Sequence, residues 1–212
     1  MVFRATSNRF HPKQQTFAVK VMLAVEGLKE NDIERIYNLE LVSDKIKSKK
    51  HKGQPLFVKT HDIVFLQTAL VQIKDFYAHS LKNINMREFR EFKIKALIKA
   101  ILSAQQEFQF MFLKKETSTG KTEPVSTIHG NIKASNIFIE SAGQNTNYEP
   151  MVIFSDRCTL LSQPTNDDFS FANVIHELIS GMRINTLRSG KLLYHPKVKN
   201  SEFFKHVERL VA

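Results

Sequence analysis

His129-Gly130-Asn131-Ile132-Lys133-Ala134-Ser135-Asn136 is the stretch on which the reading of this chain turns. It follows the short apolar approach Val125-Ser126-Thr127-Ile128 and is followed by Ile137-Phe138-Ile139-Glu140. Polar residues set between two runs rich in β-branched residues predict a loop that feeds a strand, here 137–139. Beyond it, Ser141-Ala-Gly-Gln-Asn-Thr-Asn-Tyr-Glu-Pro150 is a turn-rich insert, and Met151–Phe154 reads as a second strand that closes a hairpin with the first. Residues 167–181, D-D-F-S-F-A-N-V-I-H-E-L-I-S-G, predict a helix with acidic residues at its start and Gly181 at its stop.

Working outward, residues 16–25 (T-F-A-V-K-V-M-L-A-V) predict a buried strand interrupted by Lys20. Residues 30–48 carry Ile33, Ile36, Tyr37, Leu39, Val42 and Ile46 near helical spacing, with Asn31 or Asp32 as cap. Two strand-like runs follow at 55–59 and 62–73, the second with a pattern that also allows continuation into a helix. Phe89, Phe92, Leu97, Ile101, Phe108 and Phe112 predict one long helix over 86–113 with a core-facing stripe. The stretch E-T-S-T-G-K-T-E-P at 116–124 predicts a surface loop, and 200–211 one more amphipathic helix capped by Asn200 or Ser201. Strands first and helices later is an α+β order.

Composition narrows the class. The 212 residues are 42% apolar with 17 Phe and no Trp, enough for a packed core. A single cysteine, Cys158, allows no internal disulfide and fits a reducing compartment, cytoplasmic or nuclear. It also excludes a zinc finger, and a lone buried thiol is the plainer reading of Cys158 than a nucleophile paired with His129. No apolar run has the length of a membrane span. The net charge of +10 is densest at Lys45–Lys52, K-I-K-S-K-K-H-K, a candidate patch for nucleic acid, an acidic protein or an anionic membrane face. No aromatic residue interleaves that block as a base-stacking surface requires, so a solvated basic loop is the simpler explanation. His176 and Glu177 share a helix, but no second histidine at i+4 completes a zinc-protease motif.

The spacing H-G-N-I-K-A-S-N resembles the protein kinase catalytic loop H-R-D-L-x-x-x-N. The helix D-D-F-S-F-A-N-V-I-H-E-L-I-S-G resembles the kinase pattern D-V-Y-S-F-G-x-x-L-x-E-L-x-T-G. The two occur in family order. The resemblance runs from about Phe17 to the end and is specific at 128–139 and 168–181. It implies a two-lobed fold, with a small, truncated β-rich N-lobe over about 1–75 and a mainly helical, trimmed C-lobe over about 76–212. Within it, Lys20 of F-A-V-K stands for the phosphate-holding lysine. Its carboxylate partner is Glu40 or Glu34, with spacing favouring Glu40. Asn136 and Asp156 stand for the metal-holding pair, and Lys133 for the lysine that approaches the transferred phosphate. Asp168 stands for the aspartate that bonds the catalytic-loop backbone, a structural role.

Departures from the family pattern shape the functional expectation. Asn131 occupies the place of the catalytic base, and a carboxamide accepts no proton from a hydroxyl. Asp156-Arg157-Cys158 replaces D-F-G, removing both the permissive glycine and the apolar plug. Residues 1–16 contain no glycine, so the phosphate-covering loop is missing or lies outside this chain. Only eleven residues separate Asp156 from Asp168, leaving no room for a long activation segment. The expectation is a pseudokinase with residual affinity for ATP and Mg²⁺ that works through a protein partner. Two alternatives stand beside it: a divergent, weakly active Ser/Thr kinase, and a basic nucleic-acid-associated module.

Overall fold

A computed structural model describes residues 1–7, 15–23, 53–84, 91–109, 112–116, 122–126, 129–141, 150–155 and 167–212. Helices and antiparallel sheets combine in an α+β architecture, as the element order predicts. The chain divides into two compact units, Met1–His79 with Ile153–Ser155, and Ser80–Val152 with Asp156–Ala212. Among the described residues no helix is long and apolar enough to cross a membrane.

The first unit is built on a four-stranded antiparallel sheet. Its strands are β1 (Val2–Ser7), β2 (Gln15–Leu23), β3 (Thr60–Leu66) and β4 (Ala69–Asp75), in the order β1-β2-β4-β3. Strand β2 is the strand expected around Lys20, but half-buried rather than buried, and Lys20 pairs with Val2 on one side and Gln72 on the other. The run at 62–73 is not one strand. It folds back at Gln67-Thr68, with Leu66 opposite Ala69, to make the β3–β4 hairpin. The run at 55–59 is not a strand either: Phe57 forms a single parallel bridge with Phe154. The Val58 amide donates to the Phe154 carbonyl and the Phe154 amide to the Leu56 carbonyl, each at 2.9 Å. Leu56, Phe57, Val58 and Phe154 are all buried, so two bonds fix an apolar plug with no ladder. The helix expected over 30–48, and with it Glu34, Glu40 and Lys45–Lys52, lies outside the described residues.

The second unit carries the helices. α1 spans Glu91–Gln109 within the expected 86–113, of which 86–90 lie outside the described residues, and it does not reach 113. Phe112 starts a strand, β5 (Phe112–Glu116), which pairs with β6 (Thr122–Ser126) in register from Phe112 opposite Ser126 to Glu116 opposite Thr122. Thr122, Glu123 and Pro124, expected in a surface loop, therefore belong to a ladder. A two-stranded ribbon has an outer edge on each side, which is where a proline without an N–H can sit. β7 (Ile137–Ser141) and β8 (Pro150–Phe154) form the hairpin anticipated from the sequence.

Helix α2 (Asp167–Ser180) is central to this unit and packs on α1 and on the short helices α3 (Pro196–Lys199) and α4 (Phe204–Val211). Phe171, Val174, Ile175 and Leu178 recur at helical spacing and are all buried, as are Leu97, Ile98 and Ile101 of α1. Gly181 ends α2 with φ +77°, and its amide donates to the Glu177 carbonyl at 2.8 Å, the left-handed stop that glycine adopts most readily. A small hairpin, β9 (Asn185–Thr186) with β10 (Leu192–Leu193), follows. Asn200 and Ser201 do not start the last helix. Pro196 opens α3 at its first turn, with the Lys197 amide donating to His195 Nδ1, so Asn200 closes α3 and α4 begins after Phe203.

His176 ties these segments together. Its Nδ1–H donates to the Met182 carbonyl at 2.6 Å, and its Nε2 accepts from the His195 amide at 3.0 Å. The ring is 1% exposed, and Ser180 Oγ is a second donor to the Met182 carbonyl at 3.0 Å. His176→Ala therefore strands the His195 amide but leaves the carbonyl one donor, and the expected loss is about 1–2 kcal/mol, read as a lower midpoint in urea. An unchanged midpoint would remove this role. Nearby, burial and then the charge of Glu208 raise the Tyr194 pKa above 10.0.

Candidate functional site: the loop 129–136

The loop is held by the head of α2. One carboxylate oxygen of Asp167 accepts from the His129 amide at 2.6 Å, and the other accepts from the Gly130 amide at 2.9 Å. Gly130 has φ +73°, a left-handed conformation that lets two successive amides converge on one anion. A carboxylate in the first turn of a helix is also favoured by the helix dipole. Both hydrogen bonds are thus charge-assisted through their shared acceptor, and stronger than bonds between neutral groups.

This corrects the sequence assignment by one residue. Asp168 does not bond the loop backbone; its Oδ1 accepts from Gln105 Nε2 at 2.7 Å, linking α1 to α2. In the pattern D-V-Y-S-F-G the aspartate stands three places before the serine. Asp167 stands three before Ser170, and Asp168 only two. On a helix, one position rotates a side chain by about 100°, enough to swap the two partners.

Within the loop, the Asn131 amide donates to His129 Nδ1 at 3.2 Å. A ring nitrogen that accepts carries no proton, so the neutral imidazole is protonated on Nε2. His129 is fully buried and acts here as a fixed strut for the backbone of residue 131. The Asn131 carbonyl accepts from Asn136 Nδ2 at 2.9 Å, so the two ends of the loop are closed on each other by one carboxamide. Asn136 lies in a short 3-10 turn, Ala134–Asn136, whose amide-to-carbonyl bond runs from Asn136 to Lys133 at 2.9 Å. Its Oδ1 has Ser135 Oγ as a long donor at 3.4 Å. Because Nδ2 is committed to the backbone, the orientation of the amide is fixed, and Oδ1 is a neutral oxygen of the kind Mg²⁺ takes as ligand.

Lys133 is exposed and precedes the 3-10 turn in an extended conformation. The second unit therefore brings together His129, Asn131 and Asn136 and adds Asp167, which the sequence pattern had offset. Lys20 is on β2 of the first unit, half-buried. Glu40 and Asp156 fall outside the described residues. Among the described residues no group of three His, Cys, Asp or Glu side chains could hold a metal ion. No protein-family model matches this chain, and a search of curated proteins returns no match.

Chemically, the arrangement fixes a short loop and presents a neutral amide at its centre. Asn131 has no basic atom for a hydroxyl proton, and the neutral His129 uses Nδ1 to accept from the backbone. The geometry can bind and position; it offers no general base at residue 131.

Proposed function

We propose that this chain is a degenerate member of the protein kinase superfamily, a pseudokinase that acts as a scaffold or regulator through contact with a protein partner. The observation that carries the reading is the pair of bonds from the His129 and Gly130 amides to Asp167. The resemblance at 167–181 implies that an aspartate at this place bonds the catalytic-loop backbone, and once the register is set by Ser170 that aspartate is Asp167. Sequence spacing alone does not require the contact, so it supports the likeness independently of the motif match.

Further support comes from the amide of Asn136, fixed on the carbonyl of Asn131, where the resemblance has its metal-holding asparagine. The strand β2 carrying Lys20, an antiparallel sheet in the first unit and a helical second unit accord with the two-lobed expectation. Lys20 is the phosphate-lysine candidate of the first unit, and Asn136 the metal-ligand candidate of the second.

When bound, Mg²⁺ with ATP would supply charge neutralisation on the phosphates. Asn136 Oδ1 fits such an ion as an oxygen donor; Lys20 fits a phosphate. Neither function needs residue 131 to be a base. Nucleotide binding and phosphoryl transfer are thus separable in this chain, and the amide at 131 is the reason.

A thermal-shift titration with ATP, with and without Mg²⁺ or Mn²⁺, tests the nucleotide part. The expected result is a concentration-dependent rise in Tm that Lys20→Met abolishes, since a ligand bound only to the folded state stabilises it by mass action. A silent titration would reduce the reading to a scaffold without nucleotide. A steep loss of affinity for single-stranded DNA with rising salt, in place of ATP binding, would favour a nucleic-acid module.

A further inference from the structure

The four-stranded sheet of the first unit covers its more polar face and leaves its apolar face the more accessible one. Directly opposed residues in an antiparallel sheet project to the same side, so register assigns each side chain to a face. Leu70, Gln72 and Lys74 are buried on one face of β4, and Val71 and Ile73 between them belong to the other. On that second face Phe3, Val19 and Ile73 make one row across the sheet. Val21, Val71 and Val64 make the next, and Leu23, Ala69 and Leu66 the last. Leu23 is 65% exposed, Leu66 56% and Phe3 52%, and only Ala69 of the three rows is buried. A solvated sheet face ordinarily carries polar residues. A contiguous apolar patch left accessible marks a surface that another protein covers.

Charge narrows what that protein is. The chain carries +10 overall, yet Arg4, Lys20 and Lys74 stand opposite Ala18 or Gln72 and project to the covered face. Asp62 and Asp75, opposite Ile73 and Phe17, lie on the apolar face toward the end away from Leu23. There Asp75 Oδ1 meets His61 Nε2 at 2.6 Å. Among the described residues of the four strands, the apolar face holds no lysine or arginine. It is the side of this sheet on which a strongly basic chain meets a like chain with least repulsion.

We infer that this face is where two copies of the chain pack, sheet on sheet, about a two-fold axis. The inference rests on register, exposure and charge, and it goes beyond the kinase likeness without depending on it. An axis running across the strands sets the acidic end of each copy against the Leu23–Leu66 end of the other, so the two carboxylate pairs lie at opposite rims. Facing sheets of this kind pack about 10 Å apart with strand directions within about 30°. Four strands spaced about 4.8 Å apart and about 20 Å long project to about 400 Å² per copy. Two copies, with the relief of their side chains, approach about 1,000 Å², the low end of specific interfaces. That area fits a reversible dimer and not a permanent one.

Sedimentation equilibrium of the full chain over about 1–300 µM tests it. The mass is expected to rise from monomer to dimer with a Kd of about 10–100 µM. High salt is expected to leave the dimer as tight or tighter, since screening lowers the repulsion of two basic chains and spares an apolar contact. Phe3→Glu and Leu66→Glu, at exposed positions on opposite edge strands, are each expected to weaken it about tenfold or more. Leu187→Glu, exposed on the second unit, is expected to change nothing. Phe3→Ser and Leu66→Ser repeat the test without added charge, should either glutamate variant fail to fold. A chain that stays monomeric over the whole range overturns the inference, as does a dimer that salt dissolves or that survives both substitutions. Loss in only one of the two also overturns it, because that places the contact at a single sheet edge, where strands pair side by side.

Discussion

Replacing Asp167 with alanine is expected to destabilise the second unit by about 2–4 kcal/mol, because two amides lose a charged acceptor at once. The His129 and Gly130 amides lie in a part-buried loop, at 2.6 and 2.9 Å from the carboxylate. Asp167→Asn keeps one acceptor oxygen and introduces a donor facing an amide, so it should recover less than half of the loss. Asp168→Ala provides the contrast. It removes the single bond from Gln105 and leaves the loop anchor in place, with an expected cost of about 1–2 kcal/mol. Urea unfolding of the three variants orders them; equal losses for Asp167→Ala and Asp168→Ala would refute the one-residue correction.

Phe171→Ala is expected to cost still more, about 3–5 kcal/mol, through lost transfer energy and the cavity left behind. Phe171 is 1% exposed and lies one turn along the same helix from Asp167. Its neighbours Ala172, Val174 and Ile175 are equally enclosed, so the site has little means of collapsing. Phe171→Leu should cost about 1–2 kcal/mol, since most of the volume is retained. The helix that fills the core is also the helix that holds the loop. Loosening Phe171 should therefore speed amide exchange at His129 and Gly130 before global unfolding, a coupling that hydrogen exchange reads directly. Unaltered exchange at those amides would mean that core and loop are independent.

Much of the second unit was legible in its residues. The apolar spacing of Phe171, Val174, Ile175 and Leu178, with acids before and Gly181 after, dictates α2 within a residue of its bounds. The runs around Ile137 and Met151 dictate the β7–β8 hairpin for the same kind of reason. What escaped was mostly tertiary. Gln67-Thr68 turns a hairpin without glycine, proline, asparagine or aspartate, so the run at 62–73 carried no mark of its break. Phe108 and Phe112 are four residues apart, which suits a helix, yet Phe112 is paired with Ser126 across a ladder. His176 sits on the buried face like any core residue; its partners Met182 and His195 come from loops that no periodicity reveals.

The candidate site was legible to the same degree. Spacing identified His129, Asn131 and Asn136, and the structure brings these together. The adjacent pair Asp167-Asp168 left the anchor ambiguous until distance to Ser170 and direction on the helix were both considered. The burial of Gln72 and Lys74 on β4, 4% and 5% exposed, was hidden for a different reason. Alternation in A-L-V-Q-I-K-D does separate Leu70, Gln72 and Lys74 from Val71 and Ile73, but ordinary burial rules choose the valine face as the inner one. Only exposure in the folded unit reverses that choice.

On the pseudokinase proposal, Asn131 puts a carboxamide where a phosphotransferase would carry its proton acceptor. Incubating the native chain, its Asn131→Asp variant and a Lys20→Met control with γ-labelled ATP, Mg²⁺ or Mn²⁺ and a basic protein substrate measures this directly. Label in the native chain is expected to be no higher than in the Lys20→Met control. Incorporation by the native chain clearly above that control would contradict it.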